Sequence, residues 1–303
     1  MNVDYPAWEH VLGALSALSS AFMWAIAAIL FAQLGQQLNA RALNLGKGIV
    51  AAVCLFVLLI AAGFNLSYEA NTFWYLALSG LLGIAIGDTL YFLTLQRLGA
   101  KLTLLVGTLI PVVTAISAVI FFHEHIKLLS AIGLSMTVLG VTYVLWFKVE
   151  KDGVNRAWIG GLVIALFYIM TESGGILLTK LGLDYYGSLE ATFIRQIFGV
   201  AGLVFWGLSA RSLLTDFKPV TNDKRLLLAL IVTSFIGAFL GTWLSIVALE
   251  LTYTAVAVSL NSTSPLFVLP IAYWLLGEKL TRNSVYGAII AVLGVVIYFI
   301  SLG

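Results

Sequence analysis

The chain has 303 residues, of which 61% are hydrophobic and 10% charged, with a formal net charge of +2 and a mean hydropathy of +1.04. Soluble domains carry about 45–50% apolar and about 25% charged residues, so this chain has too little polar surface to cover a soluble core, and the same numbers exclude intrinsic disorder. An integral membrane protein remains, and a balance so near neutral gives no support to a nucleic-acid partner.

One bilayer span takes about 20 residues, so this length accommodates about ten. Charges punctuate the sequence, and the gaps between them are span-sized. They predict helices over about 11–33, 43–63, 72–95, 102–122, 126–147, 157–179, 189–209, 226–249, 255–276 and 282–302. Continuous apolar runs of this length favour helices over the ten-residue alternation of barrel strands. The first span is expected to be retained: its flank, MNVDYPAWEH, has two acids and no Lys or Arg, unlike a cleaved signal peptide. The single cysteine, Cys54, lies in an apolar run and is expected to pack as a small apolar side chain. Ten spans put both termini on one side, which carries Lys127 and Lys180. The opposite side carries twelve Lys and Arg residues, among them Arg41, Arg211, Lys218, Lys224 and Arg225. The positive-inside rule then predicts both termini outside the cytoplasm, in a plasma (inner) membrane.

Displaced by 154 residues, 83–147 lie over 237–301 without a gap. Gly83 meets Gly237, Gly87 meets Gly241, Pro111 meets Pro265, Glu124 meets Glu278, Gly133 meets Gly287 and Gly140 meets Gly294. Helix-punctuating residues are less apt to coincide than leucines. Lys47 lies near Arg195 at a shift of 148. The predicted fold is an all-α integral membrane protein of ten transmembrane helices in two five-helix halves, 11–148 and 157–302. Five is odd, so the halves insert with opposite orientation. Inverted repeats of this kind mark many secondary transporters, whose substrate sites lie near mid-membrane.

The second half resembles the EamA-type repeat of the drug/metabolite transporter superfamily. The resemblance rests on Ala248–Leu249 before a short turn, Ser264–Pro265, Gly277–Glu278 and the trailing Gly287 and Gly294. The first half resembles it with departures, His123 before Glu124 and Ile110 before Pro111. The resemblance covers roughly 11–302. It implies ten helices, a central cavity, and export or exchange of metabolites such as amino acids. It also implies termini inside, opposite to the charge count.

Four ionisable residues fall within spans: Lys47, Asp88, Glu172 and Arg195. Each is costly in hydrocarbon. Two are acids and two bases, so they read either as a polar cavity for a substrate or proton, or as structural ion pairs with the bases snorkelling. Tyr91 shares a helical face with Asp88, and Glu172 precedes Ser173, Gly174 and Gly175, which permit a kink or close helix contact. Asn261 lies in a polar cluster before Pro265, as a substrate contact or an interhelical hydrogen bond. Pro111 and Pro265 are candidate helix breaks. Glu124 and Glu278 are candidate interfacial caps or gating groups. Trp24, Tyr168 and Trp243 are aromatic side chains for a cavity wall or for packing.

His123-Glu124-His125 has no further evident ligands, so no metal is expected, and no cofactor or catalytic motif appears. The expected function is a secondary transporter of small organic metabolites, exporting or exchanging by alternating access, with the proton as candidate coupling ion. An intramembrane lipid-modifying enzyme or a sensor or assembly protein without flux are the alternatives. The expected partners are a small-molecule substrate and the lipid bilayer, and one chain holds both halves, so a monomer suffices.

Overall fold

The computed structural model describes residues 7–63, 69–122, 127–152, 156–182, 185–251, 260–277 and 281–301, and every regular element among them is helical. In chain order these are α1 (Ala7–Leu34), α2 (Ala40–Ala61), α3 (Ala70–Ser79), α4 (Asp88–Gly107), α5 (Ile110–Phe122), α6 (Leu128–Asp152), α7 (Arg156–Gly182) and α8 (Ser188–Ser209), followed by α9 (Leu213–Asn222), α10 (Lys224–Ser234), α11 (Thr242–Leu251), α12 (Ser264–Leu276) and α13 (Arg282–Ile300). Two wide, π-helical segments join consecutive helices: Gly80–Gly87 runs from α3 into α4, and Phe235–Gly241 from α10 into α11.

Seven of these runs are long and apolar enough to cross a membrane: Trp8–Leu34, Ala40–Ala61, Ala70–Gly107, Leu128–Phe147, Arg156–Thr179, Leu189–Ser209 and Lys224–Ala248. Ser264–Leu275 and Arg282–Tyr298 are shorter apolar helices. The run Ala70–Gly107 takes in one predicted span and the start of the next. Gly99 divides it, at φ 77° and ψ 169°, outside helical values. A glycine adopts this conformation without the Cβ penalty of other residues. The expected 102–122 span is itself interrupted at 108–109, just before Pro111, the second residue of α5. Pro265 is likewise the second residue of α12, after a turn at 262–263. Both prolines therefore sit where a missing backbone donor costs no helical hydrogen bond. Hydroxyls take up carbonyls at both breaks: Thr108 Oγ1 donates to Leu105 O (2.6 Å), Thr263 Oγ1 to Leu260 O (2.6 Å) and Ser264 Oγ to Asn261 O (3.0 Å).

By compactness the chain divides into two units, each drawing on both sequence halves. One comprises Met1–Ile29, Ala100–Arg156 and Leu240–Gly303. Its backbone is the crossing of α6 and α13. A Cβ on Gly133 would lie 2.6 Å from Gly294 O, and one on Gly140 2.7 Å from Gly287 O. Reciprocally, a Cβ on Gly287 would lie 2.8 Å from Gly140 O and one on Gly294 2.5 Å from Gly133 O. Small residues of this sort let helix backbones touch within a membrane. Thr137 Oγ1 donates to Gly133 O (3.0 Å) and Ala291 O (3.3 Å), and the hydroxyls of Ser130 and Ser301 are 2.5 Å apart. Low numbers of α6 meet high numbers of α13, so the two helices are antiparallel. They are equivalents under the 154-residue displacement, and inverted halves require this orientation.

The other unit comprises Leu30–Gly99 and Ala157–Phe239. Here α2 packs on α8. Gln196 Nε2 donates to Gly48 O (3.2 Å), and the Phe56 and Phe193 rings stack at 5.9 Å. These two contacts again run antiparallel, and α2 and α8 carry the sequence equivalents Lys47 and Arg195. Asn39 caps α2 by accepting from Ala42 N (2.9 Å), and Asp223 caps α10 by accepting from Arg225 N (2.8 Å). The short helix α9 lies in the connector 210–225, between two predicted spans. It was not anticipated from the sequence, although Leu213, Phe217 and Val220 recur there at helical spacing.

Candidate functional site

All four in-span ionisable residues lie in this second unit, on α2, α4, α7 and α8. Lys47 is 6% exposed. It does not snorkel: its ammonium group donates to Asp88 Oδ2 and forms an ion pair with it. Its Nζ also lies 5.7 Å from the centre of the Phe92 ring. Pairing with an acid and an aromatic face offsets part of the cost of removing a charge from water.

Asp88 begins α4 directly after Gly80–Gly87. A π-helical turn fits an extra residue into the helix and disturbs the usual carbonyl ladder, a feature frequent at functional sites. Two side chains complete the bonding here. Asn44 Nδ2 donates to Ile84 O (2.7 Å) and to Thr89 Oγ1 (3.0 Å), and Thr89 Oγ1 donates to Ala85 O (2.6 Å). Asn44 is fully buried. In the first unit, Ser20 Oγ serves the corresponding end of the second π segment, donating to Gly241 O (2.7 Å).

The glycines of Gly80–Gly87 admit α7 and α8 to close range. A Cβ on Gly175 would lie 3.1 Å from Gly83 Cα, and one on Gly199 2.5 Å from Ile84 Cγ2. Gly80 packs on the carbonyl group of Arg195. On the same surface a Cβ on Gly87 would lie 2.9 Å from Glu172 Oε1. One on Gly83 would be 3.9 Å from Glu172 Oε2 and 3.6 Å from Arg195 Nη2. The Glu172 carboxylate and the Arg195 guanidinium thus flank one bare stretch of backbone, and Glu172 interacts electrostatically with Asp88, Arg195 and Lys47. Gly175 has the close-contact role foreseen for the Ser173–Gly175 run.

Two tyrosines complete the set. Tyr91 and Tyr168 are each 8% exposed, with ring centres 5.5 Å apart. The Tyr91 hydroxyl and Arg195 Nε have no hydrogen-bond partner among the described residues. Two carboxylates, two cations and two phenols therefore stand together on four helices of one unit. Such a set offers cationic donors to a carboxylate or phosphate and acceptors to an ammonium or proton.

The remaining expected residues belong to the first unit or lie outside the described residues. Asn261 belongs to the first unit, where its Nδ2 donates to Ser245 Oγ (2.5 Å) and its Oδ1 has no partner among the described residues. Trp243 belongs to the same unit and is 39% exposed. Trp24 packs beside Gly241, where a Cβ would lie 3.0 Å from Trp24 Nε1. Pro111 and Pro265 start their helices as described above. Glu124 and Glu278 lie outside the described residues. The sequence reading passed over Asn44 and Phe92. Asn44 carried a usable signal, a polar side chain three residues before Lys47 in an otherwise apolar helix. Phe92 carried none, since one more aromatic in such a chain is unremarkable.

The chain matches the model of the EamA-like transporter family over residues 11–146 and again over 154–300. It is 23% identical over 289 residues to an uncharacterized transporter of Archaeoglobus fulgidus, covering 95% of this chain and 98% of the relative. It is also similar in fold to a protein solved by crystallography, with a TM-score of 0.67 at 14% identity over 94% of this chain and 95% of that one. The family has a ten-helix repeat fold, in keeping with the helices and the paired equivalents described above. With both halves of its length matched, this chain belongs to the EamA-like transporter family and is an integral membrane transporter.

Proposed function

We propose that the protein is a secondary transporter that exports or exchanges small zwitterionic metabolites such as amino acids. The observation that carries this reading is the set of buried Lys47 with half-buried Asp88, Glu172 and Arg195, and the buried Tyr91 and Tyr168 beside it. Buried charge within spans is retained at a cost, and equal numbers of acids and bases suit a solute that bears both signs. Phosphorylated solutes favour a surplus of cations, which this set lacks. In this reading Lys47 is the carboxylate site and Asp88 its occupant when no substrate is bound. A proton delivered to Asp88 releases Lys47 to bind a substrate carboxylate, while Glu172 accepts from the substrate ammonium. Arg195 holds Glu172 beside Gly83 and Gly87, and Tyr91 offers a free hydroxyl. Proton and substrate then bind in linked fashion, as proton coupling requires.

The halves 11–148 and 157–302 are the repeating units of this proposal, and alternating access uses their opposite orientation. Pro111 and Pro265 interrupt equivalent helices and serve as flexible points, with Asn261 as a polar contact before the second. In this reading both termini lie outside the cytoplasm of a plasma (inner) membrane, which the excess of Lys and Arg opposite them supports. A single chain suffices.

Proteoliposomes loaded with a mixed metabolite pool test the reading. Selective loss of amino acids, faster with an inward proton gradient and absent from protein-free liposomes, is the expected result. Selective loss of phosphorylated or uncharged solutes instead would overturn the substrate class. No selective loss from folded protein would overturn the transport assignment for these conditions.

A further inference from the structure

The connector between α8 and α10 is too charged to enter hydrocarbon, yet it forms the helix α9. Both flanking helices are span-length and apolar, so α9 sits at a membrane surface. Its inner face carries Leu213, Phe217 and Val220. Val220 is 4% exposed, and Leu213 and Phe217 pack on Leu45, Ala85 and Leu203. Polar contacts also tie it to the start of α2: Asp216 accepts from Asn39 Nδ2 (2.6 Å) and Ser212 Oγ (3.0 Å) and pairs with Arg41 (3.1 Å). Arg41 in turn lies over the Trp206 ring at 5.8 Å.

The outer face has a different character. Leu214 is 87% exposed. Arg211, Lys218, Lys224 and Arg225 are all exposed. The two acids of the connector are already engaged, Asp216 by Arg41 and Asp223 as the cap of α10. Among the described residues no ion pair involves any of the four cations. Leu214 and Lys218 stand four residues apart on α9, Arg211 lies in the turn just before it at φ 51°, and Lys224 and Arg225 open α10.

We infer that this face, Arg211 through Arg225, is a docking surface for anionic phospholipid headgroups. Leu214 enters the acyl boundary while the four cations engage lipid phosphates. An interfacial helix with basic residues beside an apolar one binds an anionic surface in this manner. The four cations also lie on the Lys- and Arg-rich side, predicted to face the cytoplasm, where anionic lipids give the leaflet its negative potential. Charge complementarity and one isolated exposed leucine both point to a lipid surface and not to a soluble anion.

The full chain, purified in detergent, is titrated with phosphatidylglycerol, phosphatidylcholine or inorganic phosphate while thermal unfolding is followed. Phosphatidylglycerol is expected to stabilise the wild-type chain, with little effect from the other two. The triple variant Arg211→Gln/Lys218→Gln/Arg225→Gln alters only exposed side chains and should unfold normally without lipid. Its apparent affinity for phosphatidylglycerol should fall on the order of a hundredfold, at roughly fivefold per basic group. Leu214→Ser should weaken binding by about tenfold. Equal stabilisation by phosphatidylcholine, or unchanged phosphatidylglycerol binding by the triple variant, would overturn the inference. Stabilisation by phosphate alone would replace it with a soluble-anion site. None of these outcomes depends on the transported substrate.

Discussion

The ammonium group of Lys47 on α2 donates to the carboxylate of Asp88 at the start of α4 and forms an ion pair with it inside the membrane unit. Lys47 is buried while the Asp88 side chain is 22% exposed, so it is Lys47 above all that is stranded if its partner is removed. Lys47→Met and Asp88→Asn should each lower stability by about 3 kcal/mol, since breaking such a pair strands one charge. The double variant should recover much of that loss, because it leaves no unpaired charge behind. Thermal unfolding of the single and double variants checks this. Equal and additive losses would mean that the two groups do not interact.

The bare backbone of Gly80–Gly87 predicts a graded series. Gly83→Ala puts its methyl in ordinary contact, 3.6 Å from Arg195 Nη2 and 3.7 Å from Gly175 Cα, and should be tolerated within about 1 kcal/mol. Gly87→Ala would come within 2.9 Å of Glu172 Oε1 and should displace that carboxylate, impairing transport while the protein still folds. Gly80→Ala meets the Arg195 carbonyl, which as backbone cannot yield, and should reduce the folded yield. Chromatographic monodispersity and transport, measured together, separate the three. Equal behaviour of all three variants would contradict the packing described.

At the α6–α13 crossing, Gly140→Ala would place a methyl 2.5 Å from the Ala291 backbone nitrogen. Gly287→Ala meets Gly140 O at 2.8 Å. Each should lower stability by about 1–3 kcal/mol as overpacking. Their effects should be strongly non-additive, since both force apart the same pair of helices. A double-mutant cycle on unfolding temperature measures this, and strict additivity would contradict a shared contact.

Much of the fold was legible because membrane helices obey a simple rule of length and apolarity. The 154-residue displacement also paired Gly133 with Gly287 and Gly140 with Gly294 before any contact was known, and these four meet across one helix crossing. What escaped notice has physical reasons. A π-helical turn and an α-helical turn carry the same apolar composition, so Gly80–Gly87 and Phe235–Gly241 left no trace except their glycines. The helical spacing of Leu213, Phe217 and Val220 marked α9, but its anchoring was not legible, since Asp216 meets Asn39 and Arg41, 177 and 175 positions away in sequence. Within the site, the four charges stood out as costly in a span, but the partners were not legible. The direct pairing of Lys47 with Asp88 and the support of Asn44 for Ile84 O depend on tertiary placement. The helical spacing of Asp88 and Tyr91 was read directly, whereas the tilted ring contact of Tyr91 with Tyr168 was not.

Asn44 should prove structural. Its Nδ2 serves the Ile84 carbonyl, which lies within the π segment. Asn44→Leu should leave that carbonyl without its donor and cost about 1–3 kcal/mol. Unfolding temperature checks this, and an unchanged value would show that Ile84 O is otherwise served.

Outside the spans, Glu69 accepts from the Thr72 hydroxyl (2.5 Å) and the Thr72 backbone N–H (2.8 Å) at the start of α3. These bonds, the side-chain one foremost, hold its carboxyl below the ordinary carboxylate value. A lowered value in the folded state means that its contribution is present above the ordinary carboxylate range and is lost as pH falls through the lowered value. Glu69→Gln should therefore flatten the acid limb of the stability curve, with stability lowered near neutral pH and converging on the wild type in acid. An identical acid limb in the variant would contradict the capping role.

The most direct test of the central claim is amino-acid efflux from proteoliposomes, comparing wild type with Asp88→Asn and with Glu172→Gln at matched folded protein. We expect selective amino-acid efflux in the wild type, accelerated by an inward proton gradient. Asp88→Asn should abolish the gradient dependence, and Glu172→Gln should cut efflux by more than tenfold. Wild-type efflux and unaltered gradient dependence in both variants would contradict a transport role for the buried charges of this unit.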